Sequence, residues 1–100
     1  MKINAKDEFL KHIKSRKVKC AIIEVGDYRG RFFALNSRHN DITYERFLND
    51  IDFNYNCGFG IQELFGTIWY IDGSWSERFE YDGSEGWAYK TKPRIPDFLY

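Results

Sequence analysis

The spacing of apolar residues predicts two helices in the first half of the chain. Each follows a residue type that caps helices, which is Asn4 for the first helix and Asn40 or Asp41 for the second. Apolar residues then recur at the three- and four-residue intervals of one helix face. The apolar stripes are Phe9, Leu10 and Ile13 in the first helix and Tyr44, Phe47, Leu48 and Ile51 in the second.

Extended segments rich in β-branched and aromatic residues predict five strands. Residues 18–25 and 31–35 flank the turn-forming segment 26–30 and are expected to form a hairpin. Segments 64–71, 75–81 and 87–91 are expected to form a meander, with Asp72 and Gly73 as a two-residue turn.

The predicted order of elements is α-β-β-α-β-β-β. This order is typical of an α+β domain in which two helices pack on one face of an antiparallel sheet that ends in a three-stranded meander. A single domain is expected over residues 1–100, and Pro93 and Pro96 predict an extended tail over residues 93–100.

Composition excludes several classes of protein. With 100 residues, 43% of them hydrophobic and 19% aromatic, the chain is neither disordered nor long enough for two domains. The net charge of zero excludes a uniformly basic nucleic-acid coat and a uniformly acidic DNA mimic. Charge is nevertheless uneven, because residues 1–38 contain ten basic and four acidic groups, whereas residues 39–87 contain two basic and ten acidic groups. Such an asymmetry can steer a charged partner.

Neither a signal peptide nor a membrane-spanning segment is expected. The first twenty residues contain lysines throughout, and no long apolar run occurs in the chain. The two cysteines, Cys20 and Cys57, form no disulfide framework and are interpreted as reduced thiols. We therefore expect a cytoplasmic protein without a membrane partner.

The turn at Asp72–Gly73 predicts which side chains share a face of the sheet. With a two-residue turn, Trp69 and Arg78 lie on one face. A second two-residue turn at Asp82–Gly83 would place Trp87 opposite Arg78 on the next strand. The expected role of this face is either ordinary cation–π packing or a partner-binding surface. The candidate partner-binding residues are Phe65, Trp69, Arg78, Glu80, Trp87 and Tyr89.

Candidate chemistry is sparse, and neither an enzyme nor a cofactor is predicted. The cysteines and the two histidines, His12 and His39, lack the spacing of a zinc site or of a nucleophile with its base. Four residues fit a calcium-loop template, although Cys57 stands where the template requires glycine, so a polar loop is the favoured interpretation. The four residues are Asp52, Asn54, Asn56 and Glu63.

A single-stranded nucleic-acid-binding module is the alternative function. Basic residues at and after the first helix could contact phosphates, and the aromatic residues of the sheet could stack on bases. The basic residues are Lys11, Lys14, Arg16, Lys17 and Lys19.

Three sequence patterns resemble a known group of proteins. They are GFGxQELxGTIW over 58–69, DGxWxxRxEYDGSExW over 72–87 and IPD over 95–97. Together they resemble small uncharacterised proteins encoded by tailed bacteriophages, over roughly the last three fifths of the chain. Gly86 departs from this group, in which an aromatic residue often precedes the tryptophan at this position.

The resemblance implies a biological setting and no particular site residues. It implies a short phage protein that acts in the host cytoplasm. Such a protein would bind a bacterial host protein and inhibit or modulate it, and the implied targets include defence systems such as CRISPR. A further possibility is that the aromatic face closes a homodimer.

Overall fold

The chain folds into two helices and two antiparallel sheets in the computed structural model, which describes residues 2–26, 30–57 and 60–100. The helices are α1 (Ala5–Ile13) and α2 (Asp41–Asp50). The strands are β1 (Lys2–Asn4), β2 (Val18–Val25), β3 (Phe32–Leu35), β4 (Asn54–Asn56), β5 (Leu64–Tyr70), β6 (Trp75–Tyr81) and β7 (Ser84–Lys90). The larger sheet has the order β3-β2-β5-β6-β7, and β1 pairs with β4 in the smaller sheet. The predicted α+β class is confirmed, and β1 and β4 are additions to the predicted order.

Both helices begin at the predicted caps. The Asn4 side chain accepts a hydrogen bond from the backbone N–H of Asp7 at 3.0 Å. Asn40 and Thr43 form a reciprocal capping box, with two side-chain-to-backbone hydrogen bonds of 2.9 Å. These contacts satisfy N–H groups that have no partner within the helix.

The hydrophobic core lies between the helices and one side of the larger sheet, which we call the inner face. Phe9 of α1 and Phe47 of α2 meet there edge to face, with ring centroids 5.6 Å apart. Most residues of the predicted apolar stripes are buried, although Leu10 is exposed. The sheet contributes the buried side chains Ala21, Ile23, Val25, Leu35, Leu64, Ile68 and Tyr70.

Gly66 allows β2 and β5 to approach closely. A Cβ atom at this position would lie 2.2 Å from the backbone oxygen of Ile22, and the φ angle of Gly66 is +152°. A side chain is therefore excluded by both the neighbouring backbone and the local conformation.

The predicted two-residue turn between β5 and β6 is wrong, because the connecting loop has three residues. Trp69 pairs with Trp75, and the Tyr70 N–H donates to the carbonyl oxygen of Ser74 at 2.9 Å, so the loop consists of residues 71–73. Gly73 adopts a φ of +90°, as expected for the left-handed position of such a loop. A change of one residue in register moves every β6 side chain to the opposite face of the sheet.

The next turn has the predicted length. Tyr81 pairs with Ser84, so that Asp82 and Gly83 form a two-residue loop with φ angles of +50° and +84°. The predicted pairing of Arg78 with Trp87 is confirmed. The first hairpin turn lies partly outside the described residues, because residues 27–29 are not described.

The C-terminal residues 91–100 are exposed to solvent. Residues 91–96 form neither helix nor strand, and a short 3-10 helix over Asp97–Leu99 replaces the end of the predicted extended tail. Neither helix in the described ranges is long and apolar enough to cross a membrane.

Candidate functional site

Arg78 is buried on the inner face, in a network of hydrogen-bonded charged and phenolic groups. Its side chain is 1% exposed, and its guanidinium donates to Glu8 at 2.9 Å, to Glu85 at 2.7 Å and to the hydroxyl of Tyr55 at 3.0 Å. Burial alone would lower the pKa of Arg78, but the Glu8 carboxylate and the other acceptors raise it above its ordinary value. The guanidinium therefore stays charged inside the protein.

The acceptors around Arg78 are themselves held in place. Glu85 also accepts hydrogen bonds from the backbone N–H groups of Glu63 at 2.7 Å and Leu64 at 3.0 Å. Burial and a hydrogen bond to Glu8 raise the pKa of Tyr55, whose hydroxyl therefore stays protonated. Within the described residues, no buried side-chain nitrogen or oxygen lacks a hydrogen-bond partner. The network joins α1, β4, β6 and β7 and has a structural role.

Trp87 and Tyr89 lie on the inner face beside this network. Trp87 is 9% exposed, and its ring lies 5.1 Å from the Arg78 guanidinium and 6.2 Å from the His12 ring. The Arg16 guanidinium lies 3.8 Å from the centroid of the Tyr89 ring. These aromatic residues therefore pack against α1 and the segment that follows it.

His12 completes the inner polar row. Its Nε2 atom is hydrogen-bonded to Ser76 Oγ at 2.7 Å, and Ser76 Oγ is also bonded to the Tyr70 hydroxyl at 2.7 Å. Burial lowers the pKa of His12, with further lowering by the nearby charge of Arg16. The fold therefore favours the neutral form of the imidazole.

The six predicted partner-binding residues do not share one surface. Phe65 and Trp69 are on the side of the sheet away from the helices, which we call the outer face. Arg78, Trp87 and Tyr89 are on the inner face. Glu80 is exposed and accepts a hydrogen bond from the N–H of Gly83 in the neighbouring turn. The expected single face is wrong because the loop at 71–73 has three residues instead of two.

The outer face contains several large apolar side chains on β5 and β6. Trp69 and Phe65 are each 42% exposed, Phe79 is 41% exposed, and Trp75, opposite Trp69, is half-buried. Both helices pack on the opposite side of the sheet. The outer-face side chains are Phe32, Ala34, Cys20, Ile22, Glu24, Phe65, Thr67, Trp69, Trp75, Glu77, Phe79, Tyr81, Ala88 and Lys90.

Polar contacts interrupt this apolar set, because Glu77 lies between Trp75 and Phe79 along β6 and pairs with Thr67 of β5. The indole N–H of Trp75 donates to Glu77 at 2.8 Å, and Glu77 forms an ion pair with Lys90 at 3.1 Å. The Trp75 hydrogen bond, with help from Lys90, lowers the pKa of Glu77, so this carboxylate is charged at neutral pH. The predicted two-residue turn wrongly places Trp75 and Phe79 on the inner face. The signal that could have identified them is Gly73 at the third position of the Ile71-Asp72-Gly73 loop.

The predicted basic residues also do not form one continuous row. Lys11 lines a cleft of about 540 Å³ beside α1, whereas Lys17 and Lys19 line a different cleft of about 480 Å³. Lys14 caps the end of α1, where its backbone N–H donates to the carbonyl oxygen of Leu10 at 3.2 Å. Arg16 also lines the second cleft.

The residues that fit the calcium template serve other roles. Asp52 and Asn54 accept hydrogen bonds from the Asn4 side-chain amide at 2.9 and 3.2 Å, and Asn54 and Asn56 belong to β4. Glu63 donates its backbone N–H to Glu85, and residues 58 and 59 of the template lie outside the described residues. Within the described ranges, no group of three or more His, Cys, Asp or Glu residues could hold a metal ion.

No protein-family model matches this sequence, and comparisons with curated proteins and with solved structures give no match. The resemblance to phage-encoded proteins therefore stays a prediction. The role proposed for the outer face is based on the side chains that this face exposes.

Proposed function

We propose that this chain is a non-enzymatic binding protein that docks a partner protein on the outer face of its five-stranded sheet. The observation that carries the proposal is the orientation of β6. This strand turns Trp75 and Phe79 toward solvent and buries Ser76 and Arg78.

This orientation is the reverse of what the stability of an isolated domain favours. Burying a large apolar side chain stabilises a fold by roughly 1.5–3 kcal/mol, whereas a buried charge needs a complete set of partners. Here Arg78 receives those partners from Glu8 and Glu85, and the aromatic row stays outside. Large exposed apolar patches in otherwise well-formed domains are typical of interaction surfaces.

The composition of the outer face fits a protein partner. The outer face combines tryptophan and phenylalanine side chains with few charged residues, and aromatic side chains are enriched in protein–protein interfaces. The charged outer-face residues Glu24, Glu77 and Lys90 give this face no excess of positive charge. A nucleic-acid strand would need such an excess to neutralise its phosphates.

The proposed partner is a bacterial host protein, as the resemblance to phage proteins implies. By docking on such a protein, the chain would inhibit or modulate it, and a defence system such as CRISPR is among the proposed targets. A second copy of this chain is the other occupant that the same face could accept.

Single-stranded nucleic-acid binding stays the second candidate because of one observation. Lys19 and Trp69 line the same pocket of about 260 Å³, so a cation and an exposed aromatic ring lie close together at this end of the outer face. A base stacked on Trp69 could place its phosphate near Lys19.

Affinity capture followed by a purified binding assay tests the proposal. The tagged protein is incubated with bacterial lysate, with and without nuclease, and a retained protein is identified by mass spectrometry and purified. We expect Trp69→Thr and Phe79→Thr each to weaken its binding by at least about tenfold, a loss of roughly 1.4 kcal/mol. Ile42→Thr is the matched control, because Ile42 is 69% exposed on α2, away from the outer face.

Two results would contradict the proposal. If the retained material is lost with nuclease, the second candidate function is favoured. If the purified partner binds all three variants as it binds the unmodified chain, the outer face is not the docking surface. Light scattering distinguishes a homodimer from docking on a host protein, because a homodimer would give twice the monomer mass when no host protein is present.

A further inference from the structure

A basic cleft lies where the segment after α1 enters β2 and meets the loop before α2. Its volume is about 480 Å³. Three cationic side chains line it, together with His39, the hydroxyl-bearing residues Ser37 and Tyr44, and a single carboxylate from Asp41. The cations are Arg16, Lys17 and Lys19. This cleft shares Lys19 with the small pocket beside Trp69, but none of the outer-face aromatic residues lines it, so an inference from it does not depend on the proposed docking surface.

Arg16 is fixed in position by contacts within the fold. Its Nη1 atom donates to the carbonyl oxygen of His12 at 2.7 Å. Its guanidinium lies 3.8 Å from the centroid of the Tyr89 ring and 5.7 Å from that of Tyr70. These three partners do not line the cleft, so the exposed cations of the cleft are Lys17 and Lys19.

Two rings on another side of the cleft are also held in place. The Nε2 atom of His39 is hydrogen-bonded to the carbonyl oxygen of Val18 at 3.1 Å, and the His39 ring lies 5.8 Å from the Tyr44 ring. Burial, with the nearby charge of Glu45, raises the pKa of Tyr44, so its hydroxyl stays protonated and can donate a hydrogen bond. Val18 and Ile71 add apolar surface to the lining.

We infer that this cleft binds a nucleoside phosphate. Its volume lies within the range of small-ligand sites, roughly 300–1,000 Å³. Arginine and lysine are the side chains that proteins use to bind phosphate oxygens, and three such cations outnumber the one carboxylate here. The rings and apolar side chains offer a surface on which a base can stack.

The ligand has two possible sources with the same chemistry. It is either a free nucleotide or one unit of a single strand. In both cases the phosphate contacts the cations and the base contacts the ring-lined side of the cleft. A ligand that carried only a phosphate would leave the ring-lined side empty.

Titrations monitored by amide NMR test this inference on the full chain. The probes are ADP, inorganic phosphate and a short oligothymidylate, each added at low salt. We expect ADP to cause saturable shifts of the amide signals of Val18, Ser37 and Tyr44, with an affinity at least about tenfold above that of inorganic phosphate.

A pair of charge-matched variants identifies the cations. Lys17→Gln with Lys19→Gln removes two charges from the cleft, and Lys2→Gln with Lys92→Gln removes two exposed charges elsewhere. We expect the first pair to weaken ADP binding by at least about tenfold and the second pair to change it by less than about twofold.

The outcomes are distinct. Tighter binding of ADP supports a free nucleotide as the natural ligand, and tighter binding of the oligothymidylate supports a strand. The inference is overturned if inorganic phosphate binds as tightly as ADP, if both pairs of substitutions weaken binding equally, or if no probe gives saturable shifts. None of these results bears on capture of a protein by the outer face.

Discussion

Trp69 of β5 lies directly opposite Trp75 of β6, and both indole side chains leave the sheet on the face that the helices do not cover. One position earlier along β5, Ile68 lies opposite Ser76, and both are fully buried on the inner face. The three-residue loop at 71–73 therefore decides which row of β6 packs against the helices.

Substitution of two adjacent β5 residues tests this register. We expect Ile68→Ala to lower the free energy of unfolding by about 2–5 kcal/mol, because it leaves a cavity in the core. Trp69→Ala is expected to cost only about 1 kcal/mol, because the indole is already partly exposed. Urea unfolding measures both values. A cost for Trp69→Ala equal to that for Ile68→Ala would place the indole in the core and contradict the register.

The buried ion network predicts a large difference between two cation substitutions. Arg78→Met leaves Glu8 and Glu85 without their cation and is expected to cost about 3–5 kcal/mol. Lys90→Met breaks the exposed ion pair with Glu77 and is expected to cost less than about 1 kcal/mol. Thermal and urea unfolding give both values, and similar small costs for the two variants would show that the network contributes little.

Two glycine substitutions distinguish the energetic cost of a steric clash from the cost of a positive φ angle. Gly73→Ala meets no atom within 4 Å and suffers only from its positive φ angle, which costs about 1–2 kcal/mol. Gly66→Ala has the same kind of strain and also a backbone oxygen 2.2 Å from the new Cβ. We expect Gly66→Ala to cost at least about 1–3 kcal/mol more. Equal costs in urea unfolding would mean that β2 and β5 are not in such close contact.

The lowered pKa of His12 predicts a loss of stability in weak acid. The unfolded chain protonates this residue near its ordinary value of 6.5, whereas the folded chain does so only at a lower pH. Because the unfolded state then binds more protons, stability is complete above that value and falls as the pH drops through it. We expect the melting temperature to decrease between about pH 7 and pH 5 in the unmodified chain.

Two histidine variants assign this effect. His12→Gln can keep the hydrogen bond to Ser76 without a titrating ring. In this variant the melting temperature should change little over the same pH range. His39→Gln leaves His12 in place and should keep the decrease. Three carboxylates have lowered pKa values and titrate below this pH range, so they do not contribute to the decrease in melting temperature. They are Asp52, Asp72 and Glu77. If His12→Gln retains the full decrease, another group is responsible.

Local patterns were sufficient to predict most of the fold. Asn4 and Asn40 cap the helices because their short polar side chains reach unpaired backbone N–H groups, and this depends only on nearby residues. The bounds of β2 and the two-residue turn at Asp82–Gly83 were predictable for the same reason. In contrast, β1 and β4 pair across about fifty residues, and three-residue strands leave too little pattern to be recognised.

The candidate site could be predicted only in part. The hydrophobic pattern of β6 predicts that Trp75 and Phe79 are buried. This prediction would be correct if no other group neutralised the charge of a buried Arg78. The compensating groups, Glu8 and Glu85, come from α1 and β7, and their meeting with Arg78 is a tertiary contact that the pattern along one strand does not contain. Phe65 and Trp69 were correctly identified as neighbours on one face, because their relation depends on β5 alone.

The most direct test of the account compares oxidative labelling of Trp69 and Trp87 in the free protein and in its purified complex with the captured partner. Trp69 is expected to be labelled quickly when free and to be protected in the complex, and Trp87 is expected to be protected in both because it packs beneath α1. Equal labelling of Trp69 with and without the partner, or rapid labelling of Trp87 in the free protein, would contradict the proposed docking surface.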